Sequence, residues 1–336
     1  MSDSSSLTAL SAGAALVERI DRGVLRVTGA DRASWLQGLL TNDVAALSSG
    51  HGGYGAWLTP QGRMITDAVV LAEPDAITLE VPAGLGEDLY RRLDAAVFAE
   101  DVLVTDEVGV WTSIGLHGGG APRTLSRVLQ GAGPGSEVPS ADVLTAWPEF
   151  THVGVAEAGR LFRHDVYGAP GYVLRVPRAA ADTWTARLRL AGATPCLATD
   201  LEWARIEAGR PEFLVDMDAE TIPLEAGLED RAISFTKGCY VGQEVIVRVM
   251  HRGGGRVARR LVGLRIDGGV VPAPGAAIRR DGRDLGAVTS AAASPRLGQP
   301  VALGYVRREA MEPGTSLTVD CHGTPAAATV SALPMR

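Results

Sequence analysis

The chain has 336 residues, of which 46% are hydrophobic, so it is long enough for two domains with buried cores. Its formal net charge of −7, with both signs mixed along most of the chain, argues against a dedicated nucleic-acid coat or an anionic-membrane binder. Cys196, Cys239 and Cys321 lie far apart and outside any CxxC spacing. Neither a disulfide framework nor a metal site is predicted, and a reducing, cytoplasmic compartment fits best.

The N-terminal segment has no basic stretch followed by a sustained apolar run, and no stretch of the chain is apolar for long enough to span a membrane. We therefore expect a protein that is neither exported nor anchored in a bilayer.

The first part of the chain combines helices with antiparallel strands. The segment 23–29 predicts a strand, and a helix follows with Asp31 as its N-cap. PQG and PDA turns separate the next three apolar stretches, which predicts a meander. Its strands are expected at 54–59, 63–73 and 76–82. A second amphipathic helix around Leu89 and the strand "DVLVTDE" complete an α+β layer.

Residues 131–150 are rich in Gly, Pro and Ser and predict a long surface connection. The pattern then resumes with a strand at 172–177 and the helix "ADTWTARLRLAG". A third clear helix, "ATDLEWARIEAG", is expected to be capped by Thr199 or Asp200 and to stop at Gly209.

After the glycines at 253–255 the chain consists of short alternating stretches separated by turn residues, with an Asp281-Gly282 hairpin signal. This pattern predicts a small β-barrel of about six strands. We therefore expect an α+β body at 1–253, with a division into two subdomains near 131–150 left open, and a barrel domain at 254–336. No internal repeat of fixed period is evident.

The segment "FTKGCYVGQEVIVRVMHRGGGR" surrounds a lone thiol. Its apolar spacing favours a helix that starts near Gly242, although its alternating valines would also suit a strand. At the start of a helix, and two residues from Lys237, Cys239 would form a thiolate easily. A small buried hydrophobe is the alternative interpretation of this cysteine.

"KGCYVGQE" resembles the characteristic motif of the YgfZ family, folate-binding relatives of the glycine cleavage T-protein in the aminomethyltransferase superfamily. Four other stretches are similar to that superfamily in the same order: "VTGADRASWLQGLLTND" with "LTPQGRMITD", "ARIEAGRPEF", "IPLEAGL" and "ALGYVRRE". The resemblance implies a T-protein-like body that binds tetrahydrofolate or a derivative. It also implies a role in assembling or maintaining iron–sulfur enzymes, some of which modify tRNA, with Cys239 as the functional thiol. A folate-dependent one-carbon transferase, that is an aminomethyltransferase or demethylase, is the alternative, and whether the protein is an enzyme stays open.

A folate site needs a carboxylate for the pterin edge, cations for the glutamate tail, and aromatic or aliphatic walls. Asp67 is the leading carboxylate, because the resemblance aligns it approximately with a T-protein region that carries acidic residues, and Thr66 is the alternative counterpart in that alignment. Glu207 and Glu225 are alternatives, and Arg205 matches the arginine of a similar T-protein element. The residues considered for the walls are Tyr54, Trp57, Tyr167 and Tyr172.

One departure from the T-protein pattern weakens the transferase reading. Where the T-protein has a glutamate that faces its folate, this chain offers only Tyr172, Val173 and Leu174. A basic strip beside Cys239 could face a polyglutamate tail, an acidic partner or RNA, or could be a solvated surface. Its members are Arg248, Arg252, Arg256, Arg259 and Arg260. The expected partners are thus a folate and, transiently, iron–sulfur enzymes or their assembly proteins, with nucleic acid disfavoured by the net charge.

Overall fold

The structure is a computed structural model that describes residues 3–19, 22–130, 138–155, 159–252, 254 and 256–335. The elements up to residue 130 are α1 (Asp3–Ser11), β1 (Ala15–Arg19), β2 (Arg22–Thr28), α2 (Arg32–Leu39), β3 (Gly52–Leu58), β4 (Met64–Ala72), β5 (Ile77–Pro82), α3 (Gly86–Asp94), β6 (Leu103–Asp106), β7 (Trp111–His117) and α4 (Ala121–Gln130). Those up to residue 252 are α5 (Ala141–Ala146), β8 (His152–Val155), β9 (Gly159–Arg163), β10 (Gly171–Pro177), α6 (Ala181–Leu190), β11 (Thr194–Pro195), α7 (Glu202–Glu207), α8 (Glu229–Ala232) and α9 (Gln243–Arg252). The C-terminal strands are β12 (Arg259–Ile266), β13 (Ala277–Arg280), β14 (Arg283–Ser294), β15 (Gln299–Arg307), β16 (Ser316–Cys321) and β17 (Thr324–Ser331).

Two sheets build the body. The first has the order β3-β4-β5-β2-β6 and is antiparallel throughout. The second has the order β11-β1-β7-β10-β9-β8, and its pairs are antiparallel except for β1 with β11. Helices α2 and α3 cover one face of the first sheet, where Trp35, Leu36, Leu89 and Leu93 are buried. Antiparallel sheets with packed helices were the predicted α+β arrangement, which is confirmed.

The two sheets share a topology that no fixed sequence period reveals. In each, the chain forms three consecutive antiparallel strands, the third of which ends in Val-Pro. A 3₁₀ turn (Ala83–Leu85 or Arg178–Ala180), a helix and a last strand follow. The orders β3-β4-β5-β2-β6 and β8-β9-β10-β7-β1-β11 differ by the insertion of β1. Helix α5 is a further addition in the second copy. These insertions hide the duplication from a search for a constant period.

The C-terminal strands close into a six-stranded barrel in the order β12-β15-β14-β13-β16-β17. Asp281 and Gly282 have φ values of 51° and 75°, and they join β13 to β14 as a two-residue hairpin turn. The predicted barrel and its hairpin are therefore confirmed.

Two local predictions need correction. Asp31 does not cap α2 with its side chain; its Oδ2 instead accepts a hydrogen bond of 2.8 Å from the Asp101 backbone N–H. The connection at 131–150 contains helix α5, whose N-cap Ser140 accepts from the Val143 N–H at 3.3 Å, while residues 131–137 lie outside the described part. Short helices with few apolar residues give a weak periodic signal, which is why composition alone predicted a loop here.

Helix α9 begins at Gln243, as the spacing after Gly242 predicted. Ile246 is fully buried, and Val249 and Met250 pack on the same core, whereas Val241 is exposed. Among the described residues, no helix combines the length and the apolar character needed to cross a bilayer.

Candidate functional site

A cavity of about 320 Å³ lies between strands of the two sheets and is closed by α7 and the segment after it. Its size is at the lower end of the range for small-molecule sites. The lining includes four of the predicted site residues, namely Tyr54, Asp67, Tyr167 and Arg205. The other lining residues are Glu18, Arg22, Val69, His117, His164, Val166, Ala198, Glu202, Arg210, Pro211, Glu212 and Arg231.

Asp67 is the buried carboxylate of this cavity. It lies on β4, where successive side chains alternate between faces, so Asp67 and Val69 share the face that looks into the cavity. Oδ1 accepts a hydrogen bond of 2.9 Å from Arg22 Nη1, and Oδ2 accepts one of 2.8 Å from the Tyr54 hydroxyl. A carboxylate has about four acceptor positions, so roughly two remain for donors of a bound molecule.

The neighbours of Asp67 fix its position and charge. Arg22 Nη2 also donates to the Glu80 carbonyl at 2.6 Å, which locks the guanidinium between β2 and β5. Burial is the largest single influence and lowers the pKa of Arg22, but Asp67, Tyr54 and Glu80 together outweigh it and the pKa is raised. Burial, with a further contribution from Asp67, holds the pKa of Tyr54 well above its usual range, so its hydroxyl stays a donor. A carboxylate held by a cation and a neutral donor is ready to accept from a ligand.

The candidate residues on β3 and β4 lie on opposite faces of the sheet, because side chains alternate between the two faces along a strand. Thr66 and Trp57 are register partners on the opposite face from Asp67 and Tyr54. Trp57 is buried under helices α2 and α3, and Thr66 is 2% exposed with its hydroxyl bonded to the Asp67 carbonyl. Asp67 rather than Thr66 thus faces the cavity, and Trp57 is not one of its walls.

Arg205 lines the cavity, but carboxylates and a carbonyl already occupy most of its donors. Nε and Nη2 bind Glu202, at 2.9 and 2.5 Å, while Nη1 binds Asp216 and the Arg210 carbonyl, both at 2.6 Å. These bonds use four of the five N–H groups of a guanidinium. Burial opposes the charge, yet Glu202 and Asp216 raise the pKa of Arg205 above its usual value. The predicted contact with a folate tail therefore competes with a complete internal network.

The remaining aromatic candidates separate clearly. Tyr167 lines the cavity, where its ring makes an edge contact with the His117 ring at a centroid distance of 4.8 Å. Tyr172 is fully buried in the core of the second sheet, and its hydroxyl donates to the Leu144 carbonyl at 2.8 Å. Tyr172 packs under α5, so it is not a wall of this cavity.

Glu207 and Glu225 connect the body to the barrel instead of lining the cavity. The Glu207 carboxylate accepts from the Ser294 hydroxyl and from Arg296 Nε, the latter at 2.5 Å. The Glu225 carboxylate accepts from Arg259 Nε at 2.9 Å. Both residues are largely buried, and each carboxylate has a partner on the barrel side. Their geometry explains them as interface ion pairs.

Three arginines (Arg22, Arg210 and Arg231) and two histidines (His117 and His164) of the cavity were not predicted as site residues. Arg231 lies over the Tyr54 ring at 5.1 Å, and its Nη2 is 3.7 Å from a Glu149 oxygen. Arg210 Nη2 donates to the same carboxylate at 3.3 Å, while its Nη1 is buried without a partner among the described residues. Arg22 begins β2, and His117 ends β7. The only local signal was Arg210 in the quoted "EAGRPEF", directly after the predicted helix stop at Gly209.

Cys239 and Lys237 lie outside the lining of this cavity. Cys239 is exposed, whereas the other two thiols are buried. Lys237 is 9% exposed, and its Nζ donates to the carbonyls of Gln37, Leu40 and Asn42 at 2.6, 2.6 and 2.9 Å. All three N–H groups of the ammonium are thus used at the end of α2. The predicted activation of the thiol by Lys237 is replaced by a helix-terminating role.

Most of the predicted basic strip is paired internally. Arg248 binds Glu244, Arg259 binds Glu225, and Arg260 binds Glu229. Arg256 is exposed, and the Arg252 side chain lies outside the described part. The paired arginines fit the alternative of a solvated surface better than a binding strip.

Comparison with known proteins identifies the family to which this chain belongs. The family pattern described as the GCVT N-terminal domain matches residues 4–237. The pattern described as the glycine cleavage T-protein C-terminal barrel domain matches residues 259–335. The chain belongs to the glycine cleavage T-protein family.

Individual relatives of this T-protein family member agree with the assignment. The aminomethyltransferase of Corynebacterium jeikeium (strain K411) is 30% identical over 332 residues, which cover 93% of this chain and 85% of the relative. That of Rubrobacter xylanophilus is 31% identical over 294 residues, or 85% of this chain and 74% of the relative. The crystal structure of glycine cleavage system aminomethyltransferase T from Bartonella henselae covers 98% of this chain and 88% of its own, with a TM-score of 0.86 and 20% identity. The superfamily indicated by the sequence motifs is confirmed, and its fold extends over nearly the whole chain.

Proposed function

We propose that this T-protein family member is a tetrahydrofolate-dependent one-carbon transferase whose folate site is the cavity around Asp67. The observation that carries the proposal is the Asp67 carboxylate, which is 4% exposed, anchored by Arg22 and Tyr54, and still has acceptor positions toward the cavity. The names of the relatives, aminomethyltransferase, support the same reaction class.

The lining suits the parts of a reduced folate. Asp67 can accept from N–H groups of the pterin, and Tyr54 and Tyr167 supply aromatic walls. A cavity of about 320 Å³ takes the bicyclic end and leaves the glutamate tail to extend outward. Arg210 and Arg231 are the cations best placed for that tail, because they share the single carboxylate of Glu149 and one Arg210 nitrogen has no partner among the described residues.

In the reaction, tetrahydrofolate supplies the nitrogen that accepts the one-carbon unit. Asp67 would hold that nitrogen in the geometry of attack and stabilise the positive charge that develops on it. The rigid Arg22–Asp67–Tyr54 arrangement means that little reorganisation is needed when this charge appears.

Two measurements test the proposal. Calorimetric titration with 5-formyltetrahydrofolate should show binding to the wild-type protein and loss of at least roughly tenfold in affinity for Asp67→Asn, since about 1.4 kcal/mol corresponds to tenfold. Asp75→Asn, at the exposed turn of the same hairpin, is the matched control and should bind like the wild type. Formation of methylene- or methyltetrahydrofolate from an aminomethyl or N-methyl amine donor should disappear in Asp67→Asn and persist in Cys239→Ser. Absence of folate binding at high micromolar concentration refutes the proposal.

A second candidate function rests on the exposed thiol. Cys239 lies in the "KGCYVGQE" motif that resembles the YgfZ family and is the exposed one among the three free cysteines. No cluster of three metal-ligand side chains occurs within the described ranges, so a contact of this thiol with an iron–sulfur cluster would need ligands from a partner. In cells that lack the protein, failure of Cys239→Ala to restore an iron–sulfur enzyme would support this accessory role. Full restoration would exclude it.

A further inference from the structure

His117 lies in a space on the second sheet that two neighbouring glycines leave open. It is the last residue of β7, is fully buried by protein, and lines the cavity. Its imidazole lies next to two glycines: a methyl group at Gly115 would lie 2.5 Å from Nε2, and one at Gly171 would lie 2.3 Å from the His164 carbonyl oxygen and 2.6 Å from Nδ1. Contacts below about 3 Å are not tolerated between such atoms. Any other residue at Gly115 would thus displace the ring, and one at Gly171 would collide with both the ring and the His164 carbonyl.

The two glycines act from different strands. Gly115 precedes His117 by two residues on β7, so both side-chain positions are on one face, and Gly171 is the register partner of His117 on β10. The Tyr167 ring then contacts the imidazole edge at 4.8 Å and holds it on the cavity side. Packing alone does not require a histidine at position 117. An aliphatic side chain there could pack on the sheet without glycines at both neighbouring positions.

We propose that His117 carries the proton that must move during one-carbon transfer in this cavity; the inference rests on the proposed function. In the first displacement, a bond forms between the folate nitrogen and the methylene carbon of the donor, which keeps its other substituent in this step. The bond from that carbon to the leaving amine breaks, and its electron pair goes to the amine nitrogen. His117 takes the proton lost by the folate nitrogen and delivers it to this amine, so no oxidant or reductant is needed.

The position of His117 within the cavity supports this role. Arg22 and Tyr54 both donate hydrogen bonds to the Asp67 carboxylate. The protons of these two donors therefore serve to hold the carboxylate in position. His117 contributes to the lining from β7 of the other sheet, which puts it and Asp67 in contact with the same small volume. An imidazole has two ring nitrogens, so it can accept a proton at one and give one up at the other, as a carrier between two bound molecules must.

The experiment compares His117→Ala and His117→Gln with His51→Gln, an exposed histidine, as the control. We expect His117→Ala to lose roughly 10²-fold or more in turnover while its folate affinity and its melting temperature stay near those of the wild type. Added imidazole should restore part of the turnover of His117→Ala and none of that of His117→Gln. Gly115→Ala, whose methyl group would meet the imidazole first, should lose turnover similarly, whereas Gly84→Ala, which has open space around it, should not.

A readout independent of turnover completes the test. The imidazole resonances of His117, assigned by their loss in His117→Gln, should shift when 5-formyltetrahydrofolate is added, and those of His51 should not. His117→Ala with turnover within threefold of the wild type, or unshifted His117 resonances in a protein that binds folate, overturns the inference and leaves the folate site standing. A wild-type protein that binds no folate overturns both.

Discussion

Asp216 offers a direct test of whether Arg205 is structural. The Asp216 side chain is fully buried and accepts four hydrogen bonds, from Arg205 Nη1 at 2.6 Å, the Glu212 N–H at 3.1 Å, and the hydroxyls of Ser290 and Thr289 at 2.7 and 2.5 Å. It therefore links α7 of the body to β14 of the barrel. Asp216→Asn keeps the shape but removes the charge and turns one acceptor into a donor.

The expected cost follows from this geometry. Breaking a buried ion pair by removing one partner costs about 3–5 kcal/mol, because the remaining charge stays buried. Arg205 is 3% exposed and keeps Glu202 as a partner, which moderates the loss, but two donors would face the new NH₂ group. We expect Asp216→Asn to lower the free energy of unfolding by about 3 kcal/mol.

Urea unfolding followed by circular dichroism measures this change, with Glu220→Gln as the control. Glu220 binds Arg63 at an exposed site, so its substitution should change the free energy of unfolding by less than about 1 kcal/mol. If Asp216→Asn is as stable as the wild type and instead binds folate tenfold more weakly, Arg205 belongs to the ligand site and the structural reading of its network is refuted.

Three further perturbations have defined outcomes. Lys237→Met should lower the free energy of unfolding by about 2–4 kcal/mol, because three carbonyls at the end of α2 lose their donor, while Cys239→Ser should change it by under about 0.5 kcal/mol. Burial and Arg160 lower the pKa of His152 to about 4. Since the unfolded chain protonates near ~6.5, the free energy of unfolding should fall by ~2–3 kcal/mol between about pH 6.5 and 4, a loss that His152→Gln should remove in acid titrations. Gly286→Ala should destabilise the barrel in thermal melts, since its methyl group would lie 1.8 Å from the Tyr305 carbonyl oxygen.

Local patterns predicted the elements well because each depends on a few neighbouring residues. The meander, the helices α2, α3, α6 and α9, and the six-stranded barrel all follow from periodicity and turn residues. The alternation of side chains along a strand could have excluded one further candidate. Tyr54 and Trp57 are three residues apart on one strand, so they cannot both face one cavity. The same rule separates Asp67 from Thr66 once either is known to face the ligand.

The electrostatic part of the site was not predictable in this way. Arg22 and Asp67 are 45 residues apart, and their contact depends on which strands pair and in which register. Arg205 illustrates the opposite case, since a resemblance suggested a ligand contact, whereas the carboxylate of Asp216 comes from a loop whose position only the fold determines. Sequence spacing indicates the faces of elements but not their partners.

The duplicated topology explains why the cavity forms where it does. Glu18 and Arg22 are four positions apart, yet β1 belongs to the second sheet and β2 to the first, so the chain changes sheets between them. Both residues line the cavity, which is therefore a product of that crossover. On one face of each sheet, buried side chains form a core with the helices that pack there. The opposite faces of the two sheets carry Asp67 and His117, which line the cavity. A pocket at the junction of two similar units can hold an anchored carboxylate on one side and a group that carries a proton on the other. A transfer reaction between two bound molecules requires both roles, one group that orients the acceptor and another that moves the proton.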